Sequence, residues 1–137
     1  MPAVTAERAV QVQGRKIFYR EAGDPSASTI LLLHGLGGSS AEYRDLIPAL
    51  ADAFHLIAPD YIGFGQSEAP APDAFHYTFE NLAAQVKCLL EVLGIQSYKL
   101  YMHDCGGPVG FRLFVQNPAQ VTGFIIQNAD VLIFAEN

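Results

Sequence analysis

Tryptophan is absent from this sequence, and cysteine is scarce, with Cys88 and Cys105 the only two. The first absence removes the indole N–H from the donors that any site could use. The second leaves no CxxC pair and no ligand spacing of metal-site type, so no structural zinc and no disulfide framework are expected. Basic residues are also few. Eight Lys and Arg stand against fourteen Asp and Glu, a net charge of −6. With no basic cluster to neutralise phosphates, nucleic acid is not an expected partner. No apolar run approaches the roughly 20 residues that a membrane span needs. The opening MPAVTAERAVQVQGRK lacks the apolar stretch of a secretory signal. Together these absences predict a soluble chain of a reducing, cytoplasmic compartment, without metal, cofactor or membrane partner.

What is present is enough apolar side chain for one core. Half of the 137 residues are hydrophobic and 16% are charged, which suits a single globular unit and not a disordered one. AVQVQ and KIFYREAG, split by Gly14, read as a hairpin of two short strands. TILLLHG and FHLIAPD are continuous apolar runs, the pattern of strands buried on both faces. SYKLYMH and VTGFIIQN read as two further strands. AEYRDLIPALAD, after Ser39 and Ser40, is expected to be helical until Phe54. In YTFENLAAQVKCLLEVLG, Thr78 is the predicted cap and Leu82, Val86, Leu89, Leu90 and Leu93 the buried stripe. Gly94 is the predicted stop. GGPVGFRLFVQN is the third predicted helix, and YIGFGQSEAPAPDAF is loop by its Gly and Pro content. Strand and helix alternate after the hairpin, so crossovers and a mostly parallel sheet follow. Ligands bind such sheets beyond the carboxyl ends of the strands. That rim gathers His34-Gly35, the loop after Asp60 and the turn YMHDCGGPVG.

Three motifs on that rim, LLLHGLGGSS, APDYIGFGQSEAP and YMHDCGGPVGF, resemble in order and spacing those of the α/β-hydrolase superfamily. The first is similar to the family's oxyanion loop, the second to its PDxxGxGxS turn, and the third to its nucleophile elbow. In that motif a sharp strand-to-helix turn lifts one side chain above the sheet between small neighbours. Spacing alone leaves Asp104 and Cys105 both open as that side chain. The resemblance favours Asp104, because the family's nucleophile follows the His of this turn. It also implies an oxyanion hole from the backbone N–H groups of Leu36 and Cys105. His34, Phe64 and His103 are the candidate substrate contacts, although strand alternation points His103 away from Asp104. Pro59, Asp60, Gly63, Gly65 and Ser67 are expected to shape the rim. Arg112 is expected to be solvated or ion-paired and Cys88 to belong to the core.

An aspartate nucleophile is ionised at neutral pH and needs no base to attack. It suits displacement at a saturated carbon, which leaves an alkyl ester that activated water must hydrolyse. The resemblance therefore narrows to the epoxide hydrolase and haloalkane dehalogenase branch, acting on a small molecule. Departures limit it. Dehalogenases usually place Trp after the nucleophile and Asn after HG, where this chain has Cys105 and Leu36. The family's order is nucleophile, acid, histidine, yet His34, His55, His76 and His103 all precede Asp104. His55 and His76 read as structural, and Asp130 is the one candidate acid. The sequence is thus expected to be a single partial domain over 1–137. It would be an α/β fold that starts with an antiparallel hairpin and ends after about the sixth strand, without cap or C-terminal strands. Two other readings stay open: a non-catalytic fragment or binding module, and a Cys-nucleophile esterase or lactonase. The strand around Phe124-Ile125-Ile126 would lie at a sheet edge, and self-association through it is expected.

Overall fold

The computed structural model describes residues 4–130. Six strands form one sheet: β1 (Ala6–Val12), β2 (Arg15–Ala22), β3 (Thr29–Leu33), β4 (His55–Pro59), β5 (Tyr98–His103) and β6 (Val121–Gln127). Their order across the sheet is β1-β2-β4-β3-β5-β6. β1 and β2 pair antiparallel through a two-residue turn in which Gln13 and Gly14 both have positive φ, 51° and 79°. That backbone matches the twist of a tight hairpin. β2 meets β4 antiparallel, and every pairing from β4 to β6 is parallel.

The apolar runs explain the layers. All five residues of β3 are buried, with Leu31 and Leu33 facing one cluster and Ile30 and Leu32 the other. The first cluster packs under α2 (Phe79–Val92) and α3 (Gly106–Gln116). The second packs under α1 (Leu46–Leu50) and the 3-10 turn before it. α2 begins where predicted, its Thr78 hydroxyl accepting from the Asn81 N–H at 3.1 Å. It ends at Gly94, φ 72°, where the N–H of Ile95 bonds the Leu90 carbonyl and that of Gly94 the Glu91 carbonyl. This six-to-one and five-to-two pair satisfies carbonyls that the last turn leaves open. Arg112 is ion-paired with Glu80 at 2.8 Å, and Cys88 packs partly buried against the core.

One element differs from expectation. The stretch AEYRDLIPALAD is not one helix but a 3-10 turn (Ser40–Tyr43) followed by the five-residue α1. Pro48 is the cause. In a continuous helix its missing N–H would leave the Arg44 carbonyl unbonded, and its ring would clash with that carbonyl. The 3-10 turn keeps its predicted cap, with the Ser39 hydroxyl accepting from the Ala41 N–H.

Candidate active site

β5 alternates buried and half-buried residues up to Met102 and His103. The chain then turns sharply into α3 with Asp104 at φ 52°. Only Gly visits this left-handed region freely, and Asp is among the few residues that tolerate it. Strain of this kind persists where surrounding contacts fix it. Here they are dense. The Asp104 carbonyl accepts from the N–H groups of Gly107 and Asp130, at 3.1 and 3.0 Å. Gly106 lies so close to β3 that a Cβ there would sit 2.5 Å from the Leu33 carbonyl oxygen. Gly106 is therefore required by the close approach of α3 to the sheet, and Gly107 because a Cβ there would collide with the Asp130 carbonyl oxygen.

The turn carries the Asp104 carboxylate to the loop after β3. The Leu36 N–H donates to Asp104 Oδ2 at 3.0 Å. This bond, with a second from the Cys105 backbone N–H, holds the Asp104 carboxyl below the usual aspartate range. Gly35 has no room for a side chain, since a Cβ there would lie 3.0 Å from the Asp104 Cβ. Its N–H donates to Glu42 Oε1 at 2.8 Å, while Glu42 Oε2 accepts from His103 Nδ1 at 3.1 Å. Cys105 is buried, and desolvation pushes its thiol up, helped by the Asp104 charge. A buried protonated thiol thus stands beside a half-buried ionised carboxylate.

The predicted histidines divide by position. His34 is fully buried beneath the loop and stacks on Tyr61, with ring centroids 3.9 Å apart. Its Nδ1 bonds the Gly35 carbonyl at 2.8 Å and its Nε2 accepts from the Tyr61 N–H at 3.2 Å. That pattern fixes a neutral tautomer, and desolvation lowers its pKa accordingly. The structure thus places His34 as a support of the loop and out of reach of a rim ligand. His55 sits at the opposite ends of the strands, between Thr29 Oγ1 at 2.9 Å and Glu21 Oε2 at 2.6 Å. A cavity of about 470 Å³ opens there, larger than the cleft beside Leu36, but it is remote from Asp104. His76 is exposed in a loop. Among the described residues no histidine ring is hydrogen-bonded to the Asp104 side chain.

Phe64 does lie on the rim. With Leu36, Tyr77, Thr78, Phe79 and Leu82 it lines a cleft of about 340 Å³, mostly apolar. Asp60 fixes this rim. It is buried, and its two carboxylate oxygens accept from the N–H groups of Ser40 at 2.7 Å and Gln66 at 2.8 Å. Its carbonyl accepts from the Ser67 hydroxyl at 2.7 Å, and Ser67 Oγ accepts from the Phe18 N–H. Glu42 and Tyr61 are site residues that sequence reasoning missed. Glu42 lies outside the three motifs and Tyr61 fills an unspecified position of the second, and only the folded loop brings Glu42 back to Gly35.

A sheet with crossover helices, and an acidic side chain raised on a strained turn under backbone N–H groups, define a hydrolase-like architecture. Comparison makes this specific: the chain belongs to the alpha/beta hydrolase fold family, whose model matches residues 28–136. An uncharacterized hydrolase of Saccharomyces cerevisiae is 46% identical over 122 residues, covering 88% of this chain and 41% of that protein. The haloalkane dehalogenase DbeA from Bradyrhizobium elkani superposes with a TM-score of 0.87 at 34% identity, covering 92% of this chain and 42% of that one. The epoxide hydrolase CorEH superposes with a TM-score of 0.84 at 32% identity, over 92% of this chain and 43% of that one. The chain thus spans about two fifths of the length of the relatives it matches. Among the described residues no helix is long and apolar enough to cross a membrane.

Proposed function

We propose that this chain carries the nucleophile and the oxyanion donors of a hydrolase that opens epoxides or haloalkanes through an alkyl-enzyme ester. One observation carries the reading: the Leu36 N–H lies 3.0 Å from Asp104 Oδ2, on a residue held at φ 52°. In the first step Asp104 Oδ1 attacks a saturated carbon. The carbon–oxygen or carbon–halogen bond breaks, and its electron pair leaves on alkoxide or halide. In the second step water attacks the ester carbonyl, its proton passing to a base, and charge develops on the other Asp104 oxygen. That oxygen is the one the Leu36 N–H meets at 3.0 Å, the distance such stabilisation requires, and the Cys105 N–H also bonds this carboxylate. The alcohol then leaves and the carboxylate is restored.

The apolar cleft beside Leu36 and Phe64 suits a hydrocarbon substituent on the substrate. The base of the second step has no occupant among the histidines described above, so this chain alone completes only the first. The raised Cys105 thiol weighs against a cysteine ester mechanism. Asp130, whose N–H bonds the Asp104 carbonyl, is at hand for the acid's position on the rim. Intact-mass spectrometry after incubation with styrene oxide or 1-bromohexane tests the proposal. The epoxide should add its whole mass and the bromide its alkyl group, with bromide released, and Asp104→Asn should abolish both. A folded protein that takes up neither reagent would refute it.

A further inference from the structure

We infer that Glu42 is a positioning residue: its carboxylate joins the Gly35 N–H to the His103 ring and so sets the Leu36 N–H against Asp104. The loop after β3 and the turn after β5 belong to neighbouring strands, but no ladder bond fixes their ends relative to each other beyond Leu33 and Met102. Glu42 spans that gap. A carboxylate can only accept, so His103 Nδ1 must carry the proton it donates across 3.1 Å. The other carboxylate oxygen takes the N–H of the buried Gly35 at 2.8 Å. A Cβ on Gly35 would meet the Asp104 Cβ at 3.0 Å, Oδ2 at 3.1 Å and His103 Nδ1 at 3.3 Å, so that face admits no side chain. Glu42 thus fixes the near side of Gly35, while His34 Nδ1 and the Gly38 N–H hold its carbonyl at 2.8 and 3.2 Å, and the peptide between them sends the Leu36 N–H to Oδ2. The Leu36 side chain is 66% exposed, so packing does not hold the residue. Hydrogen bonds to Gly35 do, from its N–H to Glu42 and from His34 Nδ1 to its carbonyl. Ser39 and Asp60 hold Glu42 in turn, through the cap at Ala41 and the bond to the Ser40 N–H.

The functional part of this inference rests on Asp104 as the nucleophile; the positioning part does not. Amide hydrogen exchange by NMR on the full chain separates them. Leu36 is exposed, so its protection reports the bond to Asp104. Glu42→Ala should lower protection at Gly35 and Leu36 by about tenfold, the effect of losing one hydrogen bond, and leave β3 and β5 protected. Glu42→Gln should restore it, because its amide oxygen accepts from Gly35 while its NH₂ donates to His103 in the other tautomer. A purely structural role would loosen β3 and β5 along with the loop, and that result overturns the inference. So does unchanged Leu36 protection in Glu42→Ala, or protection lost equally in Glu42→Gln. Should Glu42→Ala fail to fold, Glu42→Gln must keep Leu36 protected and Glu42→Asp, one methylene too short to reach both partners, must not. Adduct formation at Asp104, measured on the same variants, reports the nucleophile reading separately. Lost protection without adduct in the parent chain would leave Glu42 in place and remove the nucleophile.

Discussion

Asp60 offers a quantitative test of how the rim is held. Its carboxylate accepts from the buried Ser40 N–H at 2.7 Å and, through a half-buried bond, from the N–H of the exposed Gln66 at 2.8 Å. Asp60→Ala leaves both donors without that acceptor. A buried donor stranded by loss of a charged partner costs about 1.5–3 kcal/mol, and a half-buried one that water can reach about 0.5–1. The sum, about 2–4 kcal/mol, is a large share of the roughly 5–15 kcal/mol that holds a domain folded. With a urea m-value of about 1.5 kcal/mol/M, the unfolding midpoint should fall by about 1.3–2.7 M. Asp60→Asn should recover less than half of this, because its NH₂ must face one of the two N–H donors. Urea titration followed by far-UV circular dichroism measures both. An Asp60→Ala midpoint within about 0.5 M of the parent, or an Asn variant as stable as the parent, would refute the reasoning.

Other outcomes follow from the same contacts. Leu100 is fully buried at the centre of β5, so Leu100→Ala should cost about 2–5 kcal/mol in the same titration. The folded pKa of Asp104 lies below its unfolded value, so its ionised form and its stabilising contribution are complete above the ordinary aspartate range. Both are lost only as pH falls through the lowered value; adduct formation should therefore stay level down to about pH 4 and drop below it. β6 has no strand on its outer side among the described residues, and Phe124, Ile125 and Ile126 are exposed. It should pair with β6 of a second copy. Sedimentation should show a concentration-dependent dimer that Ile126→Lys returns to monomer; a parent chain monomeric at high concentration would contradict this.

Much of this fold is written locally. The strands β3 and β4 announce themselves as apolar runs because they are buried on both faces, whereas β5 alternates buried and half-buried residues. α2 is legible from Thr78 to Gly94 because cap, stripe and stop all fall within one stretch. The turn at Asp104 is legible because a close helix-to-sheet approach demands glycine at 106. What the sequence hides is pairing across distance. Glu42 reaches Gly35 and His103, seven and 61 positions away, through a 3-10 turn whose break from α1 depends on Pro48. The chain from Glu21 through His55 to Thr29 joins three strands, and no spacing rule marks it. His34 sits in a recognisable motif, yet its burial depends on Tyr61, which arrives from the loop after β4.

The central claim is that Asp104, and not its neighbour Cys105, is the nucleophile. Peptide mass spectrometry after incubation with an epoxide at neutral pH tests it most directly. The account predicts an ester on Asp104 that persists without turnover in this chain, is lost in Asp104→Asn, and is unchanged in Cys105→Ala. An adduct on Cys105 that survives Asp104→Asn would contradict it.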